Sequence, residues 1–374
     1  MDRSILFCTG IFPPQIGGPA TYVLKMARKM TKEGTKNAIL TYTDNSVQEN
    51  YGLNLYSVKW GFFIFTYFRY FLAVLKIGRK YDILYIQGSF LEGLPAILAN
   101  FFLKKRAVMR IGGIFSWEFS FSHGWTNDFT DNFLKNKQSF LPEIMKRVDR
   151  FTISRCDKII ANSNYTKKLL KLNKIDCSKV EIIYNSIDDP EFEKISKEDY
   201  KKSLGIIGNK IILSAGRFMP WKNFDKLIEF SKKLGSDFSV FIIGNGPEEK
   251  KLKSLILENG LENKVFILNK LPKNELYKMY QIADIFTLIS SFEGLSHVLV
   301  ESMQFNLPII ASNIEPNIEA LGDYDKCKII DISEKSFLRA VASIESIGSS
   351  NKDTLKRFNF ENIYKKTINL LCAY

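Results

Sequence analysis

KIILSAGRF (Lys210–Phe218) opens the stretch whose reading decides the fold, and it is followed by FSVFIIG (Phe238–Gly244), VFIL (Val265–Leu268), DIFTLIS (Asp284–Ser290), PIIA (Pro308–Ala311) and KIID (Lys328–Asp331). Each is a short β-branched or aromatic run. Each gives way to a tract of helical period, near 223–234, 247–259, 273–282, 296–305, 315–321 and 334–347. Apolar runs without polar alternation suit strands buried on both faces, and their alternation with helices predicts a parallel, doubly wound sheet. The first half reads the same way, with strands expected at Ile5–Thr9, Ala38–Tyr42, Ile83–Ile86, Ala107–Ile111 and Lys158–Ala161. Ala20, Val23, Leu24 and Ala27 mark one face of a helix after the first strand. Between the halves, 186–208 holds Asp188, Asp189, Pro190 and an alternating-charge tract without periodicity, which suits an interdomain linker. The fold class is therefore α/β, with two doubly wound domains facing across a cleft. Ligands in such sheets bind beyond the strands' C-terminal ends, so polar residues just after strands are the candidates.

Composition narrows the partners. The chain has 374 residues, 45% hydrophobic and 25% charged, which excludes disordered, collagenous and small disulfide-framed proteins. With 53 basic against 40 acidic residues the net charge is +13, which predicts attraction to nucleic acid, anionic lipid or phosphorylated small molecules. No zinc motif, RNP-like aromatic strand pair or arginine-rich arm is present, which argues against dedicated nucleic-acid binding. Five scattered cysteines without a C-x-x-C pair indicate neither a zinc knuckle nor a disulfide framework, and a reducing compartment follows. The first ten residues are too short an apolar run for a secretory signal. Gly61–Leu75 and Phe90–Leu103, broken by Arg69 and Glu92, fall short of the ~20 apolar residues of a spanning helix, so none is expected.

Three places after strands carry chemistry. Gly17-Gly18 opens the first helix, where backbone N–H groups and the helix dipole can meet a phosphate; a tight turn needs the same residues. Gly216-Arg217, with Lys222 five residues on, puts a planar fork and a point charge at the mouth of the expected cleft, a pair that suits a diphosphate unless both are only solvated. The run from Ser291 to Met303 carries Glu293 and Glu301, eight residues apart. That spacing puts both carboxylates along one side of the next helix, Glu293 at its N-terminus and Glu301 deeper among Val298, Leu299, Val300 and Met303. A carboxylate there is costly to bury without partners, and a ribose diol would satisfy it; an exposed Glu301 on an amphipathic helix is the plainer alternative.

These pieces, with Asn162-Ser163 and Thr166, Asn185-Ser186-Ile187-Asp188, Gly244-Asn245-Gly246-Pro247, Ala283-Asp284 and Leu307 to Ser312, occur in an order that resembles the retaining glycosyltransferases of family four, with the GT-B fold. The resemblance runs from about residue 5 to residue 320. It implies two Rossmann-like domains: 1–187 on the acceptor side and 188–354 binding the nucleotide-sugar, with a helix at about 355–374 packing back on the first. It implies that Arg217 and Lys222 hold the donor's diphosphate and, with Glu293, carry the catalysis. Glu301 would accept from the ribose hydroxyls, and Glu293 with Gly294, Leu295 and Ser296 would hold the transferred sugar. Gly216, Gly17 and Gly18 would lie near the phosphates, and the base near Asn269 and Leu271. The resemblance needs no metal and no cofactor beyond the nucleoside diphosphate sugar, and the sequence has no D-x-D pair after a strand in the cleft. It implies retention of the donor's anomeric configuration.

One departure stands out. Many relatives carry a first-domain histidine facing the sugar, whereas this chain has only His123 and His297. Its role falls to Gly112, Gly113, Ile114, Glu118 or His123 as acceptor-side candidates. His297 could equally contact the sugar or the phosphate, or serve as a structural donor. The aromatic segment Trp60–Leu72, running into Lys76, Arg79 and Lys80, and the cluster Lys104-Lys105-Arg106 suit an anionic membrane surface; a buried core helix is the alternative. The expected protein is a cytoplasmic, membrane-peripheral enzyme moving a hexose-type unit to a glycan or lipid-linked glycan in cell-surface polysaccharide or glycoconjugate synthesis. The competing readings are a non-catalytic nucleotide-sugar or glycan binder and a nucleotide-sugar 2-epimerase of the same fold.

Overall fold

The computed structural model describes residues 3–15, 17–43, 51–187, 192–206, 210–344 and 352–373. Asp188 and Asp189 of the expected linker lie outside the described residues. The chain divides into two compact units, Met1–Ser186 with Phe360–Tyr374, and Ile187–Asn359.

The first unit runs β1 (Ile5–Cys8), α1 (Gly18–Lys32), β2 (Asn37–Thr43), β3 (Leu55–Lys59), α2 (Phe63–Gly78), β4 (Ile83–Ile86), α3 (Gly93–Leu103), β5 (Arg106–Ile111), α4 (Phe115–Ser122), α5 (Thr130–Lys135), α6 (Phe140–Ser154), β6 (Lys158–Ala161), α7 (Asn164–Leu172) and β7 (Val180–Ile182). Its seven strands lie in the order β3-β2-β1-β4-β5-β6-β7, every pair parallel. Two were not anticipated: β3, half exposed, and the three-residue β7, both at sheet edges where the apolar signal is weak. α1 buries Ala20, Val23, Met26, Ala27 and Met30 on one face, as its period predicts, but Leu24 is only partly covered.

The second unit begins with α8 (Lys197–Ser203), which corrects the reading of the tract up to 208 as pure linker. No residue of α8 is buried, so no apolar stripe announces it. It is held by charge instead: Lys197 and Lys201 reach the Asp284 carboxylate at 2.6 and 3.0 Å, and Asp284 also accepts from the Ile211 N–H. Then follow β8 (Lys210–Ala215), α9 (Phe224–Ser231), β9 (Phe238–Ile243), α10 (Glu249–Glu258), β10 (Val265–Leu268), α11 (Lys273–Ile282), β11 (Ile285–Leu288), α12 (His297–Gln304), β12 (Ile309–Ser312), α13 (Glu315–Leu321), β13 (Cys327–Ile330) and α14 (Glu334–Ser343). The sheet order is β10-β9-β8-β11-β12-β13, again parallel throughout. The last helix, α15 (Phe360–Cys372), belongs to the first unit. Its Ile363, Tyr364, Ile368 and Leu371 join Val23, Met26 and Ala27 in the core, Glu361 pairs with Lys29 at 2.7 Å, and the Tyr364 hydroxyl donates to Glu33. All five cysteines are free.

Candidate active site

Parallel doubly wound sheets bind ligands where the strand order reverses, and in the second unit that point lies between β8 and β11. The loops leaving these strands are stitched together. The Trp221 carbonyl accepts from the Ser291 N–H at 2.7 Å, and the Asn223 amide donates to the Ile289 carbonyl and the Ser291 hydroxyl, each at 2.7 Å. Asn223 does this from the left-handed region, at φ 54°, which asparagine tolerates better than most residues. Lys222 sits between these two anchors. Its ammonium lies 2.5 Å from the Glu293 carboxylate, with both side chains nearly buried. The residues expected to hold diphosphate and sugar are thus brought together, in a pair that keeps both buried charges compensated.

The same loop is packed against its other neighbour. The Phe218 N–H donates to the Asn245 carbonyl at 2.8 Å, and the Phe218 carbonyl accepts from the Glu248 N–H. A β-carbon on Gly244 would run into the Gly216 carbonyl, and one on Gly246 would meet the Phe218 backbone at 2.5 to 2.9 Å. Bare backbone at 244 and 246 is therefore what lets the β8 and β9 loops close on each other. Arg217 projects from this crowded turn with its side chain exposed.

Glu293 and Glu301 do not share a helix, contrary to the spacing argument: α12 starts at His297, leaving Glu293 in the loop. Gly294 is half-buried and Leu295 and Ser296 buried in that loop. Glu301, half-buried on α12, accepts from the Tyr280 hydroxyl at 3.3 Å. Tyr280 is wholly buried, and burial pushes its hydroxyl well above the ordinary tyrosine value, so it stays a donor. Asn269 is exposed and Leu271 half-buried in the loop after β10, two strands away from the reversal point.

In the first unit Gly17 precedes α1 and Gly18 is its first residue. Gly112, Gly113 and Ile114 follow β5, and the Gly112 carbonyl accepts from Asn162 at 3.3 Å. Asn162, Ser163 and Thr166 bond one another at the start of α7, so that motif caps a helix and anchors the Gly112 turn. The Glu118 carboxylate folds back against Gly113, where a β-carbon would collide with it. His123 is exposed, bonded to the Phe119 carbonyl at 2.8 Å and stacked on the Phe119 ring. Two buried carboxyls were not among the candidates drawn from the sequence. Asp149 ties the Ser89 hydroxyl at 2.6 Å to the Ser116 N–H at 2.9 Å, joining the loop after β4 to the first turn of α4. Glu92 lies at the reversal between β1 and β4, its oxygens 2.8 and 2.9 Å from where β-carbons on Gly88 and Gly10 would stand. Burial pushes it up to about 7, against the backbone N–H groups of Glu92 and Gly10 that draw it down. An acid inside the apolar run Phe90–Leu103 was the available signal.

Among the described residues no group of three or more His, Cys, Asp or Glu gathers closely enough to hold a metal ion, and no helix is long and apolar enough to cross a membrane.

Comparison with known proteins places the chain among relatives of one family. Residues 196–358 match the family described as glycosyl transferases group 1, and 16–190 the one described as Glycosyltransferase Family 4. An uncharacterized glycosyltransferase of Methanocaldococcus jannaschii is 22% identical over 98% of this chain and 97% of its own. The N-acetylgalactosamine-N,N'-diacetylbacillosaminyl-diphospho-undecaprenol 4-alpha-N-acetylgalactosaminyltransferase of Campylobacter jejuni is 31% identical over 50% of this chain and 52% of its own, so that match spans about half of that enzyme. The crystal structure of Anabaena HepE in complex with UDP and glucose superposes with a TM-score of 0.79 at 17% identity, covering 100% of both chains. With both halves matched in order and the two parallel sheets in hand, the chain belongs to the group 1 glycosyltransferases of GT-B fold.

Proposed function

We propose that this glycosyltransferase moves a hexose-type sugar from a nucleoside diphosphate sugar to a glycan or lipid-linked glycan in cell-surface polysaccharide or glycoconjugate synthesis. The donor's anomeric configuration is kept, and neither a metal ion nor a cofactor takes part. The observation that carries this reading is the Lys222–Glu293 pair at the β8–β11 reversal. An incoming diphosphate gives Lys222 a second anion, and a sugar hydroxyl gives Glu293 a donor, so the pair opens into two binding groups without leaving a bare buried charge. As the anomeric C–O bond breaks, its electron pair passes to the departing phosphate oxygen, while the acceptor hydroxyl bonds the anomeric carbon from the same face and gives its proton to that phosphate. Lys222 and the exposed Arg217 stabilise that charge in place of a metal. Glu301, oriented by Tyr280, accepts from the ribose hydroxyls. Gly216, Gly294, Leu295 and Ser296 line the sugar and diphosphate, Asn269 and Leu271 the base. Gly17 and Gly18 serve the donor's phosphates, and Gly112 to Ile114 with Glu118 serve the acceptor side. His123 is turned onto Phe119, so the Gly113–Glu118 contact is the better acceptor-side candidate. The UDP and glucose in the HepE structure and the diphospho-undecaprenol in the Campylobacter enzyme's name support this class of donor and acceptor. The enzyme would work in the cytoplasm, on the inner face of the membrane.

A thermal-shift panel of UDP, GDP, ADP and their sugars, in EDTA, identifies the donor. Slow hydrolysis of that donor is then expected from the wild type and lost in Arg217→Ala and Glu301→Ala. Unchanged rates in both variants overturn the site; binding without hydrolysis favours the non-catalytic reading.

A further inference from the structure

The first unit carries an apolar face that its own fold leaves uncovered. α2 turns Thr66, Tyr70, Val74 and Ile77 inward, at spacings of three and four. Phe62, at its N-terminal edge, and Phe65 and Phe68 on its outer face remain 72%, 62% and 57% exposed. α3 packs alongside and adds Phe101 and Phe102, the latter 73% exposed. The contacts run on without a break between helices: the Phe71 ring stands 6.2 Å from Phe68 and 6.2 Å from Phe102, and Phe101 lies 6.3 Å from Phe151 on α6. α6 is not part of the aromatic stretch that the sequence singles out. Isolated exposed apolar residues are ordinary, but a continuous face drawn from three helices is not.

The charge around it identifies the occupant. No Asp or Glu occurs in 60–80 or in 98–106, whereas Arg69, Lys76, Arg79, Lys80, Lys104, Lys105 and Arg106 do. On α6, Asp149 is fully buried, while Arg155 is exposed and lies 5.4 and 5.1 Å from the centroids of Phe101 and Phe151. Every exposed ionisable group of 60–80 and 98–106 is thus cationic; on α6 Glu143 is largely covered and paired with Lys146 at 2.7 Å, and the exposed Asp157 lies beyond the helix's end. A two-fold pairing with a second copy would set this face against itself and bring like charges together. An anionic bilayer instead accepts the rings at its headgroup boundary and the cations at its phosphates.

We propose that α2, α3 and the C-terminal turn of α6 form one docking face for an anionic lipid bilayer. This deepens the lipid-linked acceptor reading, but it is measured without donor or acceptor, so its failure leaves sugar transfer untouched. The test is co-sedimentation of the full chain with phosphatidylcholine vesicles, with and without 30 mol% phosphatidylglycerol, set up at low and at high salt. Binding is expected to the anionic vesicles at low salt, to fall steeply with salt, and to be weak on phosphatidylcholine alone. Phe65→Ser with Phe102→Ser should weaken it by at least ~10-fold, and Lys80→Gln with Lys104→Gln by ~5-fold per cation; all four positions are exposed, and unchanged thermal unfolding certifies the fold. Absence of binding at low salt overturns the proposal. So does binding that the phenylalanine variant leaves unchanged, and so does a concentration-dependent dimer that this variant dissolves while vesicles remain unbound.

Discussion

Glu92→Gln offers the sharpest physical test of the first unit. Glu92 is 7% exposed, its carboxyl sits between Gly10 and Gly88, and the backbone N–H groups of Glu92 and Gly10 draw its titration down. Burial raises it from 4.5 to about 7, so the folded chain keeps this proton to a higher pH than the unfolded chain does. The sign follows directly. Below pH 4.5 both states hold the proton and the group is neutral to stability. Between pH 4.5 and 7 the unfolded state releases it and the folded state does not, so stability falls as pH rises; above 7 the loss is complete and constant. The size of the loss is about 3 kcal/mol. For a unit of this size that corresponds to roughly 10 °C in the first unit's melting temperature. The Glu92→Gln amide keeps the shape and one acceptor but cannot ionise, so any fixed cost it brings is independent of pH. Calorimetry of both proteins from pH 4.5 to 8 should therefore show a wild-type-minus-variant difference that declines by about that amount and then levels off. Asp149 and the other titrating groups are common to both and cancel. A difference that stays flat, or that grows with pH, refutes the account of Glu92 as a carboxyl starved of solvent.

Three further outcomes follow from the second unit. Lys222→Met strands the buried Glu293 and should cost about 3 kcal/mol of that unit's stability, most of it recovered in Lys222→Met/Glu293→Gln; calorimetry of the single and double variants decides. Gly244→Ala should cost about 3 kcal/mol by forcing apart the β8 and β9 loops, whereas Gly260→Ala, in open space but at φ 61°, should cost only about 1 kcal/mol; equal losses in urea unfolding would remove the packing argument. The Asp284 carboxyl is raised by burial but lowered further by Lys197, the Ile211 N–H and Lys201, so it ends below its ordinary 3.8. Its contribution is therefore present above pH 3.8 and lost as pH falls through the lower folded value, and Asp284→Asn should flatten the acid limb of the second unit's unfolding.

The alternation of apolar runs with helical tracts made both sheets legible from the chain alone, because strands buried on two faces and the helices covering them leave a local signal. Val265–Leu268, Ile83–Ile86 and Lys158–Ala161 fall where their composition puts them. The candidate acids and cations also stood out in the sequence, since a carboxylate or a lysine amid apolar neighbours demands an explanation wherever it lies. Elements that owe their place to partners were not legible: β3 and β7 are finished by edge pairing, and α8 by the Asp284 charge. Tertiary structure alone set Lys222 on Glu293, because that contact depends on β8 and β11 becoming neighbours across 71 residues of chain. It alone turned one side of α2 outward and joined it to α3 and α6, since a helix apolar all round does not reveal which face the sheet will cover.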